Sequence, residues 1–217
     1  MWISMKKFYN WLPLIIMLIV LYLSLFINIP IEIISAIIVI STISSSILFF
    51  GKKAAIKIIV ICFVVGAIAE ILSLNTGIPF GFYHYTSVLQ PQLFGLPIFI
   101  PFLWFSLFFI SMLAYDLNII PIVMVFLDLM LDPIWSNKLW KWLTISGEPS
   151  VWNIPLTNFL GWFFVSYIIF LLINKYAIKD IKSKIITSEG KIFFCLFALN
   201  IFIKFLLTLS GNNIIYI

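Results

Sequence analysis

The sequence predicts an all-α protein, a polytopic transmembrane bundle of about seven spans with its N-terminus in the cytoplasm. Three observations carry that reading. Of 217 residues, 64% are hydrophobic and only 10% charged, against about 25% charged in ordinary soluble domains. The mean hydropathy is +1.20. The apolar residues also fall into runs of membrane-spanning length separated by short polar punctuation. One integral membrane domain over residues 1–217 is therefore expected, in a multi-pass cell-membrane protein with the lipid bilayer as its solvent.

Residues 11–28 make the first expected span. Lys6 and Lys7 before it resemble the start of a signal peptide, but no small-residue cleavage site follows, and the run is read as retained. Pro30 separates it from a second span at 31–50, and Gly51-Lys52-Lys53 precede a third at about 54–73. Residues 74–97 are too rich in Gly, Pro, Tyr and Gln for a lipid-facing helix. A fourth span is expected at 98–115 and a fifth at 117–134. A Trp-rich connection covers 135–154, and the sixth span 155–173. Lysines and isoleucines at 176–187 suggest a short helix lying on the inner surface, and the seventh span follows at 192–210.

All 13 cationic residues are lysines. They cluster between apolar runs, which suits orientation signals and excludes a nucleic-acid-binding stripe. With the N-terminus inside, nine of them (Lys6, Lys7, Lys52, Lys53, Lys175, Lys179, Lys182, Lys184 and Lys191) fall on one side and only Lys138 and Lys141 on the other. Lys57 and Lys204 lie within spans, near enough to an end to snorkel. Cys62 and Cys195 have no Cys or His nearby and read as small buried hydrophobes. No metal-ligand spacing exists around the single His84, so neither metal nor cofactor is expected. The Ser/Thr cluster at 41–46 reads as helix packing.

Ionisable groups inside a bilayer are costly and need a reason. Glu70 stands near the end of the third span. Asp128 and Asp132 are four residues apart on the fifth and share one helical face. At about 1.5 Å per residue, Asp132, Glu70 and Asp128 lie roughly 3, 5 and 9 Å below the outer ends of their helices. Thr157 and Asn158 open the sixth span at the same level. The topology therefore gathers Glu70, Asp128, Asp132, Asn158 and the loop with Tyr83, His84 and Tyr85 in one leaflet. Two buried carboxyl groups one turn apart repel when both are charged, so the pair is expected to share a proton. His84 reads as an interfacial hydrogen-bonding residue sooner than a catalyst, and the eight tryptophans as a membrane-interface belt, with Trp135 and Trp140 reading equally as site residues. An acid, a partner carboxylate and aromatic faces beside an apolar pocket suit protonation of an alkene and capture of the cation by water.

Three blocks of sequence resemble the carotenoid hydratase family, which includes bisanhydrobacterioruberin hydratase. The first is Gly77-Ile78-Pro79-Phe80-Gly81-Phe82-Tyr83-His84-Tyr85-Thr86, continuing through Leu93-Phe94-Gly95-Leu96-Pro97 to Ile100-Pro101-Phe102-Leu103-Trp104. The second is Asp128-Leu129-Met130-Leu131-Asp132-Pro133, and the third Pro155-Leu156-Thr157-Asn158-Phe159-Leu160-Gly161-Trp162. With Glu70 upstream, the likeness covers 70–162. Phe82 departs from the small residue or proline frequent in the family, and Val151-Trp152-Asn153-Ile154 from a tyrosine-rich stretch. The resemblance implies cofactor-independent addition of water to a terminal isoprenoid double bond of a carotenoid or other polyisoprenoid lipid. It implies acid roles for Asp132, Asp128 and Glu70, and positioning of water or substrate by Tyr83, Tyr85 and Asn158; His84, Trp135 and Trp104 complete the candidate set. Which acid donates the proton, and the oligomeric state, stay open at this level. A membrane prenyltransferase, suggested by Asp128-x-x-x-Asp132, and a proton-coupled transporter using the three acids as a relay are the competing readings.

Overall fold

The computed structural model describes residues 2–143, 148–181 and 186–211, with side chains from Phe8 onward. Seven α-helices account for most of them: α1 (Trp2–Leu23), α2 (Ile31–Phe50), α3 (Lys52–Thr76), α4 (Phe99–Met112), α5 (Ile120–Trp135), α6 (Leu156–Tyr176) and α7 (Ser188–Leu209). The number and order match the sequence expectation. Four of them, α2, α3, α6 and α7, are long and apolar enough to cross a membrane. Large apolar side chains such as Ile40, Val60, Phe164 and Ile192 face outward from these helices, an arrangement that only lipid solvates well. The chain is a membrane protein.

Two expected spans are shorter than anticipated. Helix α4 has 14 residues and α5 has 16, or about 21 and 24 Å at 1.5 Å per residue, below the roughly 30 Å of a bilayer core. The turn between them consumes the missing length, and its first residues, Leu113 and Ala114, are buried. Gly190, in the first turn of α7, lies against it. A β-carbon there would overlap the Leu113 carbonyl oxygen, so the glycine lets α7 pack closely against the start of that turn.

The two polar connections are more ordered than loops. Residues Tyr83–Tyr85 (β1) pair antiparallel with Trp140–Trp142 (β4), in the register Tyr83↔Trp142 and Tyr85↔Trp140. Backbone bonds from Thr86 N to Leu139 O (2.9 Å) and from Leu143 N to Phe82 O (2.8 Å) extend the ribbon at both ends. Two smaller hairpins, Gln92–Leu93 (β2) with Leu96–Pro97 (β3) and Ser150–Val151 (β5) with Ile154–Pro155 (β6), lead into α4 and α6. The β1–β4 ribbon joins the α3–α4 connection to the α5–α6 connection across the helix ends that both connections leave.

Three further expectations are corrected. The surface helix at 176–187 is replaced, where described, by the end of α6 and a 3-10 turn at Ile178–Asp180; Lys182–Ile185 lie outside the described residues. Lys57 ties the chain there, donating to Asp180 Oδ2 at 2.5 Å and to Tyr176 O at 3.1 Å, and its hydrogen bond holds the Asp180 carboxyl below its usual value. Cys62 is buried as expected, but Cys195 is exposed on the outer face of α7. Lys204 does not snorkel: it is 3% exposed inside the bundle. The α2 hydroxyl cluster does pack helices, through Thr42 Oγ1 and Ser106 Oγ of α4 at 2.8 Å.

Candidate functional site

A cavity of about 160 Å³ opens inside the bundle beneath the β1–β4 ribbon, and Glu70, Asp128, Asp132 and Asn158 all line it. Each arrives on a different part of the scaffold. Glu70 sits on the last two turns of α3, the Asp pair on one face of α5, and Asn158 in the first turn of α6. All four are nearly excluded from solvent, between 1% and 6% exposed. The expectation that the topology brings them together holds in the structure.

Their hydrogen bonds divide the three acids. Asp132 Oδ1 accepts from Trp140 Nε1 at 2.9 Å and Trp142 Nε1 at 3.0 Å, and its Oδ2 accepts from Asn158 Nδ2 at 2.7 Å. The second hydrogen of the same Asn158 amide goes to Asp128 Oδ2, also at 2.7 Å. Glu70 Oε2 accepts from the hydroxyls of Tyr83 and, at 2.8 Å, Tyr85, while Oε1 accepts from Trp104 Nε1 at 2.8 Å. Thus Asp132 and Glu70 each hold three donors, whereas Asp128 accepts one bond among the described residues. Indole N–H and the amide nitrogen can only donate, so the environment of Asp132 fits a carboxylate. Asp128 lines the cavity with its other oxygen, Oδ1, accepting no bond among the described residues.

The ribbon supplies most of these donors. Strand alternation sends Tyr83 and Tyr85 inward, to face Trp142 and Trp140 across the ladder, with ring centroids 5.0 and 6.2 Å apart. Burial, and then the Glu70 carboxyl beside them, push both phenols well above their usual value. His84 lies between them in sequence and therefore points the other way, exposed and outside the cavity. Its place in the candidate set is not supported by this geometry. Trp104 is seated against α3 because Gly66 lacks a side chain; a β-carbon there would lie 2.9 Å from the indole Cγ and Cδ1. Trp104 also stacks on Trp162 at 4.2 Å between centroids, and Trp135 lines the same cavity.

Polar lining residues that were not expected in the site include Trp142, Asn200 and Lys204, while Trp140 takes the site role that its sequence context left open. Trp142 and Trp140 are the anchors of Asp132 rather than members of a belt. The signal for them was present: Trp140-Lys141-Trp142 and Tyr83-His84-Tyr85 share an aromatic–polar–aromatic alternation, the period of a strand. Asn200 and Lys204, four apart on one face of α7, also reach the cavity. Among the described residues, no three His, Cys, Asp or Glu side chains are grouped so as to hold a metal ion.

Comparison with family models matches residues 28–217 to the carotenoid biosynthesis protein family. The chain belongs to that family. The match takes in six of the seven helices and every lining residue of the acid cluster, well beyond the 70–162 block. Membership assigns the chain a role in carotenoid biosynthesis. Neither the curated proteins nor the solved structures include a match to the chain.

Proposed function

We propose that the protein is an integral, multi-pass membrane enzyme that hydrates a terminal isoprenoid double bond of a carotenoid. The observation that carries this reading is the unequal solvation of three converging carboxyl groups in an apolar, indole-lined cavity. Asp128, with one hydrogen bond, holds the proton. Its O–H bond breaks as the alkene π pair forms a new C–H bond at the less substituted carbon, leaving a tertiary cation and the Asp128 carboxylate. The faces of the tryptophans and the Glu70 carboxylate stabilise that cation. Water adds to it, and Asp132 accepts the proton released by the new C–OH. The Asp128/Asp132 pair begins and ends with one proton, and Asn158, bonded to both, holds the two carboxyls in register for its return. Net chemistry is one water gained and a tertiary alcohol formed.

The lysine bias supports an outer-leaflet site just below the ribbon, with the isoprenoid entering from the lipid and water from the connections above. Expressing the chain in a host that accumulates an acyclic carotenoid with terminal double bonds tests the reading. The expected product gains the mass of one water per modified end. An unchanged pigment profile, with the protein present in the membrane fraction, overturns it.

A further inference from the structure

Helix α4 packs against both α2 and α5, and all three line the cavity. The α5 side carries the Asp pair, whereas α2 contributes Ile31, Ile34, Ser35 and Ile38. Ser35, the one polar residue of that set, is 3% exposed. Among the described residues its hydroxyl has no hydrogen-bond partner, not even a carbonyl of its own helix. Thr42, seven residues on and therefore on the same stripe of α2, bonds both Ile38 O and Ser106 Oγ of α4, each at 2.8 Å. At the level of Ser35 the cavity takes the place of such a neighbour. Ser45 and Ser166 are unpaired as well, but neither lines the cavity, so no ligand in it reaches them. Alternate crossing puts the start of α2 on the side where α5 ends. Ser35 lies four residues, about 6 Å, into α2; Asp132 and Asp128 lie three and seven residues, about 4.5 and 10.5 Å, before the end of α5. The hydroxyl is thus level with the acid pair.

We propose that Ser35 holds the water molecule that captures the cation and becomes the hydroxyl of the product, an inference that rests on the hydration reading. A wall built only to hold hydrocarbon is better served by alanine, because a buried hydroxyl without a partner is destabilising. A serine oxygen accepts as well as donates. The water gives one hydrogen to Ser35 Oγ and the other to the Asp132 carboxylate, which leaves a lone pair on its oxygen free for carbon. That pair forms the C–O bond as the cation is quenched. The proton passes to Asp132, and Ser35 ends the step unchanged.

The test follows the fate of the cation. The full chain in lipid nanodiscs is supplied with lycopene in heavy water, so that each protonation leaves a deuterium on the substrate. A cation captured by water appears as labelled alcohol, and one that loses a proton instead returns as labelled hydrocarbon. In Ser35→Ala the ratio of labelled hydrocarbon to alcohol is expected to rise roughly threefold to tenfold, the effect of one hydrogen bond on a rate. Ser45→Ala is expected to leave the ratio unchanged. Thermal unfolding of Ser35→Ala is expected to match or exceed that of the wild type, since no bond within the protein is lost. A wild type that hydrates with the same ratio as Ser35→Ala overturns the proposal and leaves the hydration reading standing. An equal shift in Ser45→Ala overturns it too, as does a clear loss of stability in Ser35→Ala, which would assign the hydroxyl to packing. A wild type that makes no alcohol overturns the hydration reading, and this proposal with it.

Discussion

Replacing each member of the Asp128/Asp132 pair by asparagine separates chemistry from structure. In Asp132→Asn, the side chain offers one oxygen and one NH2 group to three donors: two indole N–H groups on one side and the Asn158 amide on the other. Whichever way the new amide turns, at least one donor faces another donor in a buried site. A buried polar group left unsatisfied costs about 1–3 kcal/mol, and the orientation that keeps both indoles bonded leaves Asn158 opposed. In Asp128→Asn, the oxygen can take the single bond from Asn158 and the NH2 group can face the cavity, so stability is expected to change by less than about 1 kcal/mol. Activity is expected to run the other way in proportion: loss of a general acid lowers the rate by roughly 10²- to 10⁴-fold. Purified variants in one detergent, compared by thermal unfolding and by chromatographic assay of carotenoid hydration, provide both readouts. The reasoning is refuted if Asp128→Asn hydrates at the wild-type rate, or if it is the less stable of the two while Asp132→Asn unfolds like the wild type.

Two further outcomes follow from the surroundings of Glu70. Tyr83 and Tyr85 have folded-state values above the unfolded value of about 10. The folded state thus binds more protons in that range, so their contribution is complete below about pH 10 and is lost as the pH rises above it. Unfolding measured across this alkaline range should show a steeper loss of stability in the wild type than in Tyr83→Phe/Tyr85→Phe. A larger side chain at Gly66, as in Gly66→Val, should displace the Trp104 indole from Glu70. Blue-shifted or broadened tryptophan emission and a loss of hydration activity of tenfold or more, consistent with a displaced active-site group, are expected. Unchanged spectra and rates would show that the indole has room to spare.

The helices and the gathering of the acids could be read from the chain because both rest on strong local physics. A run of twenty apolar residues has few alternatives to a span, and alternate crossing places Glu70, Asp128 and Asn158 at one level without any knowledge of packing. What the carboxyls bond to was not legible in the same way. Trp140 and Trp142 reach Asp132 only because residues 83–85 and 140–142 pair across a separation of more than fifty residues, and each partner is too short to announce itself as a strand. Lys204 misled for a related reason: five residues from the end of α7, it is within reach of the surface, and only the packing of α1 against that face shows that it turns inward. The close packing of the α4–α5 turn depends on Gly190, a residue in another helix altogether.

The dependence of Asp128 and Asp132 on partners from later in the chain bears on how the protein is made. When α5 first leaves the ribosome, Trp140 and Trp142 are only beginning to follow, and Asn158 has not yet been translated. For that interval the helix must enter the membrane with two bare carboxyl groups, each adding about 2.5–3.5 kcal/mol to the insertion cost if it lies near the helix centre. A helix of 16 residues has little apolar length to offset that. The fifth helix is thus expected to be a poor inserter by itself, held at the translocon or the lipid boundary until the sixth arrives, so that a chain cut before Asn158 would leave it exposed to proteolysis.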